Sequence, residues 1–399
     1  MPKLLQINVT ANWGSTGKIA EQIGVLAQKQ GWESNIAYGR HMNASENKLI
    51  KIGSTIDMYE HYIENRFFDN EGLASRKATR TFVREIERIN PDVIHLHNIH
   101  DHYLNLPILF KYIAEKKIPV VWTQHDLWAI TGKCCYIPTT CDRWKNNCFK
   151  CPLANRYSLD RSDRNHQLKK NVLKSLSSLT IVPVSEWVGG FISQSHLKER
   201  PMQVIYNGID LNVFKFKDQK ALNSYDIPDH KIVLLGVAFP WSERKGFRDF
   251  VELSKRLDER YVIVLVGLNE DQKKELPQNM IGLKRTQSQA ELAGLYARAD
   301  ILLSLSYGET FGMTMAEAYA CGTPCIVYDN TAQPEIVAPN TGRVAKTGEI
   351  EDVKRLVYEM TESDFKAKHT IDCRARAEQM YDKDKCFEQY IELYNRILK

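Results

Sequence analysis

A short β-rich run followed by a longer amphipathic stretch recurs along almost the whole chain, and this alternation narrows the fold more than any other feature. In the first half the runs are Leu4–Val9, Asn35–Tyr38, Val93–His97, Val120–Thr123, Thr180–Val184 and Gln203–Tyr206. Helices are expected between them, among others over Gly17–Gln30 and Ser75–Ile89. In the second of these, Phe82, Ile86 and Ile89 recur at helical spacing while Arg76, Lys77, Arg80, Arg84 and Arg88 crowd the remaining face. The pattern restarts with Ile232–Gly236, Val262–Val266, Met280–Gly282, Ile301–Ser304 and Cys325–Val327. Strands separated by helices call for a parallel sheet covered on both faces. Two such series predict two doubly wound α/β domains, and 399 residues are too many for one ordinary core. The boundary is expected near Glu199-Arg200-Pro201, giving domains 1–202 and 203–383, with a second linker candidate at Phe214–His230. A last helix, about Asp384–Leu398, carries Phe387, Tyr390, Ile391 and Tyr394 on one face and is expected to pack back onto the first domain.

Hydrophobic residues make up 43% and charged residues 26%, which excludes disordered and collagen-like classes. No apolar run approaches the roughly 18 residues that span a bilayer. The opening Met-Pro-Lys-Leu-Leu-Gln-Ile-Asn-Val has no small-residue cleavage site and reads as a first strand, so a cytoplasmic location is expected. Residues 1–200 hold 27 basic and 19 acidic side chains, residues 201–399 hold 27 and 30, and the formal net charge is +5. A basic first half serves either solubility alone or attraction to an anionic membrane surface or substrate.

Two segments carry chemistry. The first strand leads through Ala11-Asn12-Trp13-Gly14-Ser15-Thr16-Gly17-Lys18 into a helix, and a glycine-bearing turn of this kind offers backbone N–H groups to a phosphate. It matches neither Gly-x-Gly-x-x-Gly nor a P-loop, and a plain tight turn reads equally well. The stronger signal is Tyr307-Gly308-Glu309-Thr310-Phe311-Gly312-Met313-Thr314-Met315-Ala316-Glu317-Ala318-Tyr319-Ala320-Cys321-Gly322-Thr323-Pro324. Gly308 and Gly312 frame a loop, a helix is expected over about Thr314–Ala320, and Gly322 and Pro324 end it. Glu309 in the loop and Glu317 in the helix can each reach hydroxyl groups of one ligand near the helix start. The backbone amides of Phe311–Met313 would meanwhile face an anion.

This string resembles the Glu-x7-Glu signature of retaining, nucleotide-sugar-dependent glycosyltransferases of the GT-B fold, the family-four type. The likeness continues in Asn207-Gly208-Ile209-Asp210 at the domain junction, in Arg244-Lys245-Gly246, and in the strand ends Pro91–His97 and Thr123–Asp126. The segment His125–Pro152, with Trp128, Thr131-Gly132 and its cysteines, is most similar to bacterial enzymes that build colanic acid, capsule and O-antigen polysaccharides. The resemblance implies two Rossmann-like domains facing each other across a cleft. The first would be the acceptor side and the second would bind a UDP- or GDP-sugar.

It also implies roles. Arg244 and Lys245 would offset charge on the departing nucleoside diphosphate. Glu317 would bind the ribose hydroxyls, and Glu309 the donor-sugar hydroxyls. Phe311, Gly312 and Met313 would lie near sugar and phosphates, and Gly14 and Gly17 would let the first loop approach the diphosphate. His125 would sit close to the anomeric centre. The leaving phosphate would help deprotonate the acceptor on the same face, so no divalent metal is expected at the reaction centre. Family members usually place another arginine early in the loop before the Lys-Gly element. Here Gly236–Ser242 holds no basic residue, so either Arg244 does both jobs or another segment contributes.

Five of the nine cysteines, Cys134, Cys135, Cys141, Cys148 and Cys151, crowd one segment. In a reducing compartment structural disulfides are not expected. Cys134 (or Cys135 in its place), Cys141, Cys148 and Cys151 offer four thiolates for a structural zinc that would staple the long loop Ala129–Asn155. Alternatively the thiols are simply buried. His95, His97, His100 and His102 read as satisfied polar residues at strand ends before they read as metal ligands.

The first expectation is therefore an enzyme moving a hexose from a nucleotide sugar to a lipid-linked saccharide at the inner face of the cytoplasmic membrane, with the basic helix Ser75–Ile89 favouring that surface. Alternatives are a transferase with a soluble acceptor or a sugar-nucleotide epimerase of the same fold. A third, a zinc-stapled nucleic-acid-binding protein, leaves Glu309 and Glu317 unexplained, so no nucleic-acid partner is expected.

Overall fold

The computed structural model describes residues 1–137, 141–154, 159–216, 225 and 227–399. Part of the loop Ala129–Asn155 and most of the linker candidate Phe214–His230 therefore lie outside the described residues. The chain divides into two compact units, Met1–Ile205 with Phe387–Lys399, and Tyr206–Cys386. Each observed boundary falls three residues beyond the expected one.

In the first unit, β1 (Lys3–Asn8), β2 (Glu33–Tyr38), β3 (Lys48–Lys51), β4 (Val93–Leu96), β5 (Val120–Gln124) and β6 (Leu179–Pro183) form one parallel sheet. Its order is β3-β2-β1-β4-β5-β6. The helices are α1 (Gly14–Lys29), α2 (Thr55–Phe68), α3 (Arg76–Ile89), α4 (Leu106–Lys116), α5 (Ser162–Lys174) and α6 (Glu186–Ile192). The strands are buried throughout apart from the first residues of β1 and β2 and the whole of β3, as a sheet sandwiched between helices requires. In α3, Ala78, Phe82, Ile86 and Ile89 are buried while Arg76, Lys77, Arg80, Arg84 and Arg88 face solvent.

Gln203–Tyr206 is not the strand that its composition suggests. The segment runs beside β6, with Gln203 N–H donating to Ile181 (3.1 Å) and Ile205 N–H to Pro183 (3.1 Å). Pro183 has no N–H to return, so the ladder stops at a single bridge between Ile181 and Met202. Conversely, β3 is a strand that the alternation does not reveal. It lies at the sheet edge with Lys48 and Lys51 exposed, and so lacks a buried apolar run.

The second unit repeats the design with β7 (Ile232–Val237), β8 (Tyr261–Val266), β9 (Met280–Leu283), β10 (Ile301–Ser304), β11 (Cys325–Tyr328) and β12 (Gly342–Ala345). All pairs are parallel, in the order β12-β11-β10-β7-β8-β9. Its helices are α7 (Phe247–Ser254), α8 (Glu270–Lys274), α9 (Gln289–Arg298), α10 (Met313–Ala320), α11 (Gln333–Ile336), α12 (Ile350–Glu362) and α13 (Phe365–Met380). Counted within each unit, the winding is the same. The strand order reverses between β1 and β4 in one sheet and between β7 and β10 in the other. Such switch points are where open parallel sheets hold ligands, beyond the carboxyl ends of their strands.

The final helix, α14 (Lys383–Ile397), starts in the second unit and continues into the first. There Phe387, Tyr390, Ile391 and Tyr394 are buried, as its apolar face demands. The Asn207–Asp210 segment packs against the start of this helix and the residues leading into it. Ile209 N–H donates to Tyr381 (2.6 Å), Lys383 pairs with Asp210 (2.6 Å), and a Cβ on Gly208 would stand 2.3 Å from Lys383 Cα. Among the described residues no helix is long and apolar enough to cross a membrane.

Candidate active site

In the second unit the chemistry-bearing residues gather at the switch point. After β7 the chain makes a short turn over Glu243–Lys245 and passes through Gly246 at φ +73°. A Cβ there would lie 2.0 Å from the Leu305 carbonyl oxygen, so only glycine lets this loop touch the end of β10. The loop is sewn to its neighbour by Tyr307 N–H to the Arg244 carbonyl (2.7 Å) and by the Arg244 guanidinium to the Gly308 carbonyl (2.6 Å). These contacts place Lys245 Nζ 2.5 Å from Glu309 Oε1, an ion pair whose side chains are only 21% and 18% exposed. Glu309 is fixed through its backbone as well, its N–H donating to Thr331 Oγ1 (3.1 Å).

Gly312 precedes α10 at φ +104°, and Phe311 is buried between Tyr206 and Tyr381. The Phe311 ring is therefore an anchor for the loop, and only its backbone is left for a ligand. Met313 opens α10, whose first N–H groups point out of the helix start. Glu317 lies one turn further on, and the buried Tyr296 of α9 donates to its Oε2 (2.8 Å). The structure thus joins Lys245 to Glu309, whereas Glu317 is oriented by Tyr296. Sequence reasoning missed Tyr296, because a tyrosine on an apolar helix face carries no signal that its hydroxyl has a carboxylate partner.

In the first unit, Gly14 sits at φ +67° and opens α1 with open space around it. Gly17 has a different job. A Cβ there would meet Thr10 Oγ1 at 2.7 Å and Asn12 N at 3.3 Å, so its bareness serves packing within its own loop. Trp13, 37% exposed, stacks on His41 with centroids 4.8 Å apart, an aromatic platform not anticipated from sequence.

His125 follows β5 and joins a buried chain of hydrogen bonds. Gln6 Nε2 donates to the Ala20 carbonyl (2.7 Å), which leaves Gln6 Oε1 to accept from His97 Nε2 (3.0 Å). Burial first, then His95 and His125, hold the His97 pKa well below its usual value, so the ring is neutral with one N–H. His97 Nδ1 must then accept, and the hydrogen in its 3.0 Å contact with His125 sits on His125 Nε2. Burial likewise lowers the His125 pKa to about 4, so this ring is neutral near pH 7 with its lone pair on Nδ1. A parallel chain satisfies His95: Tyr394 Oη contacts its Nδ1 (2.6 Å), Thr123 Oγ1 its Nε2 (2.7 Å), and Thr123 donates to Tyr390 (2.9 Å).

His100 is the opposite case. Burial disfavours its charge, but Asp126 at 2.8 Å, Cys135 and Asp101 outweigh it and raise the pKa well above the usual value. Among the described residues, His100, Asp126 and Cys135 form the one set of three potential metal ligands with donor atoms within 4.8 Å of one another. Its Nε2 already serves the ion pair with Asp126. His95 and His97 are hydrogen-bonding residues, as the strand-end reading expected. Cys134, Cys141, Cys148 and Cys151 line one cavity, whereas Cys135 turns away to His100 Nε2 (3.9 Å).

Comparison with known proteins agrees with this arrangement. The family model described as Glycosyltransferase Family 4 matches residues 20–213, and that described as Glycosyl transferases group 1 matches residues 219–380. Only 1–19, 214–218 and 381–399 fall outside the two. A candidate colanic acid biosynthesis glycosyl transferase of Escherichia coli (strain K12), WcaC, is 22% identical, over 99% of this chain and 100% of that protein. Among solved structures, sucrose-phosphate synthase from Thermosynechococcus elongatus superposes with a TM-score of 0.75 at 15% identity, covering 100% of this chain and 99% of that one. Anabaena HepE in complex with UDP gives 0.69 at 15% identity, over 99% and 100%. With one family model on each unit and the GT-B fold throughout, the chain belongs to the group 1, family 4 glycosyltransferases.

Proposed function

We propose that this enzyme transfers a hexose from a nucleoside-diphosphate sugar to a lipid-linked saccharide, with retention of configuration, during assembly of a bacterial surface polysaccharide. The observation that carries the reading is the Lys245–Glu309 pair at the switch point of the second sheet, flanked by Arg244 and the start of α10. A diphosphate arriving there brings the negative charge that Lys245 now takes from Glu309. Lys245 turns to the phosphates, and Glu309 is released to accept hydrogen bonds from sugar hydroxyls. Glu317, held by Tyr296, takes the ribose. In the transfer step the glycosidic C–O bond to phosphate breaks and the acceptor oxygen bonds to the same carbon. The acceptor proton passes to the departing phosphate oxygen, whose developing charge Arg244, Lys245 and the α10 N–H groups stabilise. His125, in the first unit, is a neutral imidazole of the kind that can contact a sugar without adding charge.

The lipid-linked acceptor is supported by the surface of the first unit. Ile56, Tyr59, Tyr62, Ile63, Phe67 and Phe68 of α2 are 49–70% exposed, and Ile56, Tyr59, Ile63 and Phe67 share one face. The start of α2 abuts α3, where a Gly53 Cβ would touch Ala78 Cβ at 2.9 Å, and α3 contributes five exposed cations. Apolar rings beside Lys and Arg suit an anionic bilayer surface. The helix expected to favour the membrane supplies the charge, and α2 supplies the insertion. The name of the E. coli relative points to the same kind of pathway.

The test is mass spectrometry of released nucleoside diphosphate and glycosylated product across UDP- and GDP-sugars with a lipid-linked acceptor pool, without added divalent metal. Product with the donor's anomeric configuration supports the reading. No nucleotide release from any donor, together with salt-sensitive oligonucleotide binding, overturns it. Product formed on a small soluble acceptor alone overturns the lipid-linked part. Vesicle co-sedimentation checks the surface: binding is expected to need anionic lipid and to be lost in a Tyr59→Ser, Phe67→Ser variant.

A further inference from the structure

Beyond β5 the first unit carries a long irregular segment, from Thr131 to Arg161, whose described part has only a short turn at Arg143–Lys145 as regular structure. Apart from Trp144 and Cys148, the large apolar side chains of its described part are half-buried or exposed, so the loop needs a further source of order. Five of its side chains are thiols, and four of them share one place. Cys134, Cys141, Cys148 and Cys151 line one narrow cavity of about 20 Å³, room for a single ion. All nine cysteines of the chain are free thiols, so no disulfide supplies that order.

We propose that Cys134, Cys141, Cys148 and Cys151 bind one zinc ion as a tetrahedral, closed, structural site that orders the loop following His125.

The frame of the site supports thiolate ligands. Cys148 and Cys151 form a two-residue knuckle in which Lys150 adopts φ +45°, and the Arg143 guanidinium clamps it by donating to the Phe149 carbonyl (3.0 Å) and the Lys150 carbonyl. Gly132 N–H donates to Cys148 Sγ (3.2 Å), and Cys148 N–H donates to His166 Nδ1 of α5 (3.0 Å). Cys151 N–H is held by Asp160 Oδ2 (2.7 Å). One half of the site is thus fastened to α5 and to the loop's return, while Cys134 and Cys141 approach from its outgoing arm. A tetrathiolate zinc centre carries two net negative charges, and Lys133 and Lys169 lie close enough to act electrostatically on these thiols. Gly132 has its own reason to be glycine: a Cβ would strike the Ser162 carbonyl oxygen at 2.4 Å, so the loop's two arms touch just below the cavity.

The thiols stand wider than bound ligands do. No three of their sulfurs fall within 4.8 Å of one another, against about 3.8 Å between sulfurs around a tetrahedral zinc. Binding therefore draws the four sulfurs together and releases the four thiol protons. Cys135, facing His100, is not a ligand.

Metal analysis of the full-length chain, purified under reducing conditions without chelator, tests this apart from any transferase assay. The expected result is about one zinc per chain. It should be retained in Cys135→Ser and lost in a Cys148→Ser, Cys151→Ser variant. Should that variant fail to fold, anaerobic cobalt substitution of the unaltered chain decides. Thiolate-to-cobalt charge transfer with intense tetrahedral d–d bands supports the site, and a weak octahedral spectrum overturns it. A metal-free chain that takes up no zinc on titration, a Cys148–Cys151 disulfide, or zinc that persists in the double variant each overturns it as well.

Discussion

At Gly246 the missing side chain is what allows the loop after β7 to reach the Leu305 carbonyl. Gly246→Ala combines a φ of +73° with a contact of 2.0 Å, so the loop must move. We expect a loss of about 2 kcal/mol or more in urea unfolding of the second unit, together with weaker donor binding. His97 acts through another ring. In His97→Phe the volume is kept, but the acceptor that fixes the Nε2 hydrogen of His125 is gone. The donor KM should stay within about twofold while kcat falls on the order of tenfold to a hundredfold. A raised KM with unchanged kcat would mean that His125 serves ground-state binding alone. Glu309 was legible in its glycine-framed loop and Lys245 through the resemblance of Arg244-Lys245-Gly246, but their pairing was not. A contact between two side chains 64 positions apart depends on the order of β7 and β10 in the sheet.

At the level of elements, α14 shows how a helix can be secured by polar contacts on its buried face. Tyr394 and Tyr390 serve the His95–Thr123 chain at the centre of the first sheet. Tyr394→Phe would leave His95 Nδ1 buried without its donor, and the melting temperature should fall by an amount corresponding to about 1–3 kcal/mol. An unchanged melting point would show that the helix is held by its apolar contacts alone. The apolar face of this helix was readable from spacing. Its polar contacts were not, since tyrosine reads as apolar in a periodicity count. α2 errs the other way. Its apolar residues recur at helical spacing as a core face would, yet they face outwards. Strand placement succeeded for the buried strands and for the edge strands β6 and β9, and failed at the other two edges. β3 and β12 are short and partly exposed, and Gln203–Tyr206 is a β-rich run that Pro183 keeps from becoming a strand.

For the whole molecule, the burial of neutral histidines sets a pH dependence. The pKa values of His61 and His196 are lowered to about 3, and those of His125 and His166 to about 4, in each case chiefly by burial. Unfolded, these rings titrate near 6.5, so between pH 6.5 and about 4 the unfolded chain binds more protons. Stability therefore falls as pH drops through that window, by roughly 3 kcal/mol for His125 alone. His100, with its pKa raised, has the opposite sign: its contribution is complete below 6.5 and fades as pH rises through its folded value. Melting temperature should therefore peak near neutrality and decline towards pH 5, and a flat profile from pH 7 to 5 would contradict this account.

The proline that ends β6 also governs how these molecules meet one another. Leu179–Pro183 is a Val- and Ile-bearing margin of the kind that can recruit a strand from a second molecule and so seed insoluble deposits. With Pro183 unable to return a bond and the 203–205 segment already lying alongside, that margin offers an incoming chain no continuous template. The opposite margin, β3, presents Lys48 and Lys51, whose like charges repel a copy of themselves. Both borders of this sheet are thus closed to growth, which should keep the protein dispersed at high concentration.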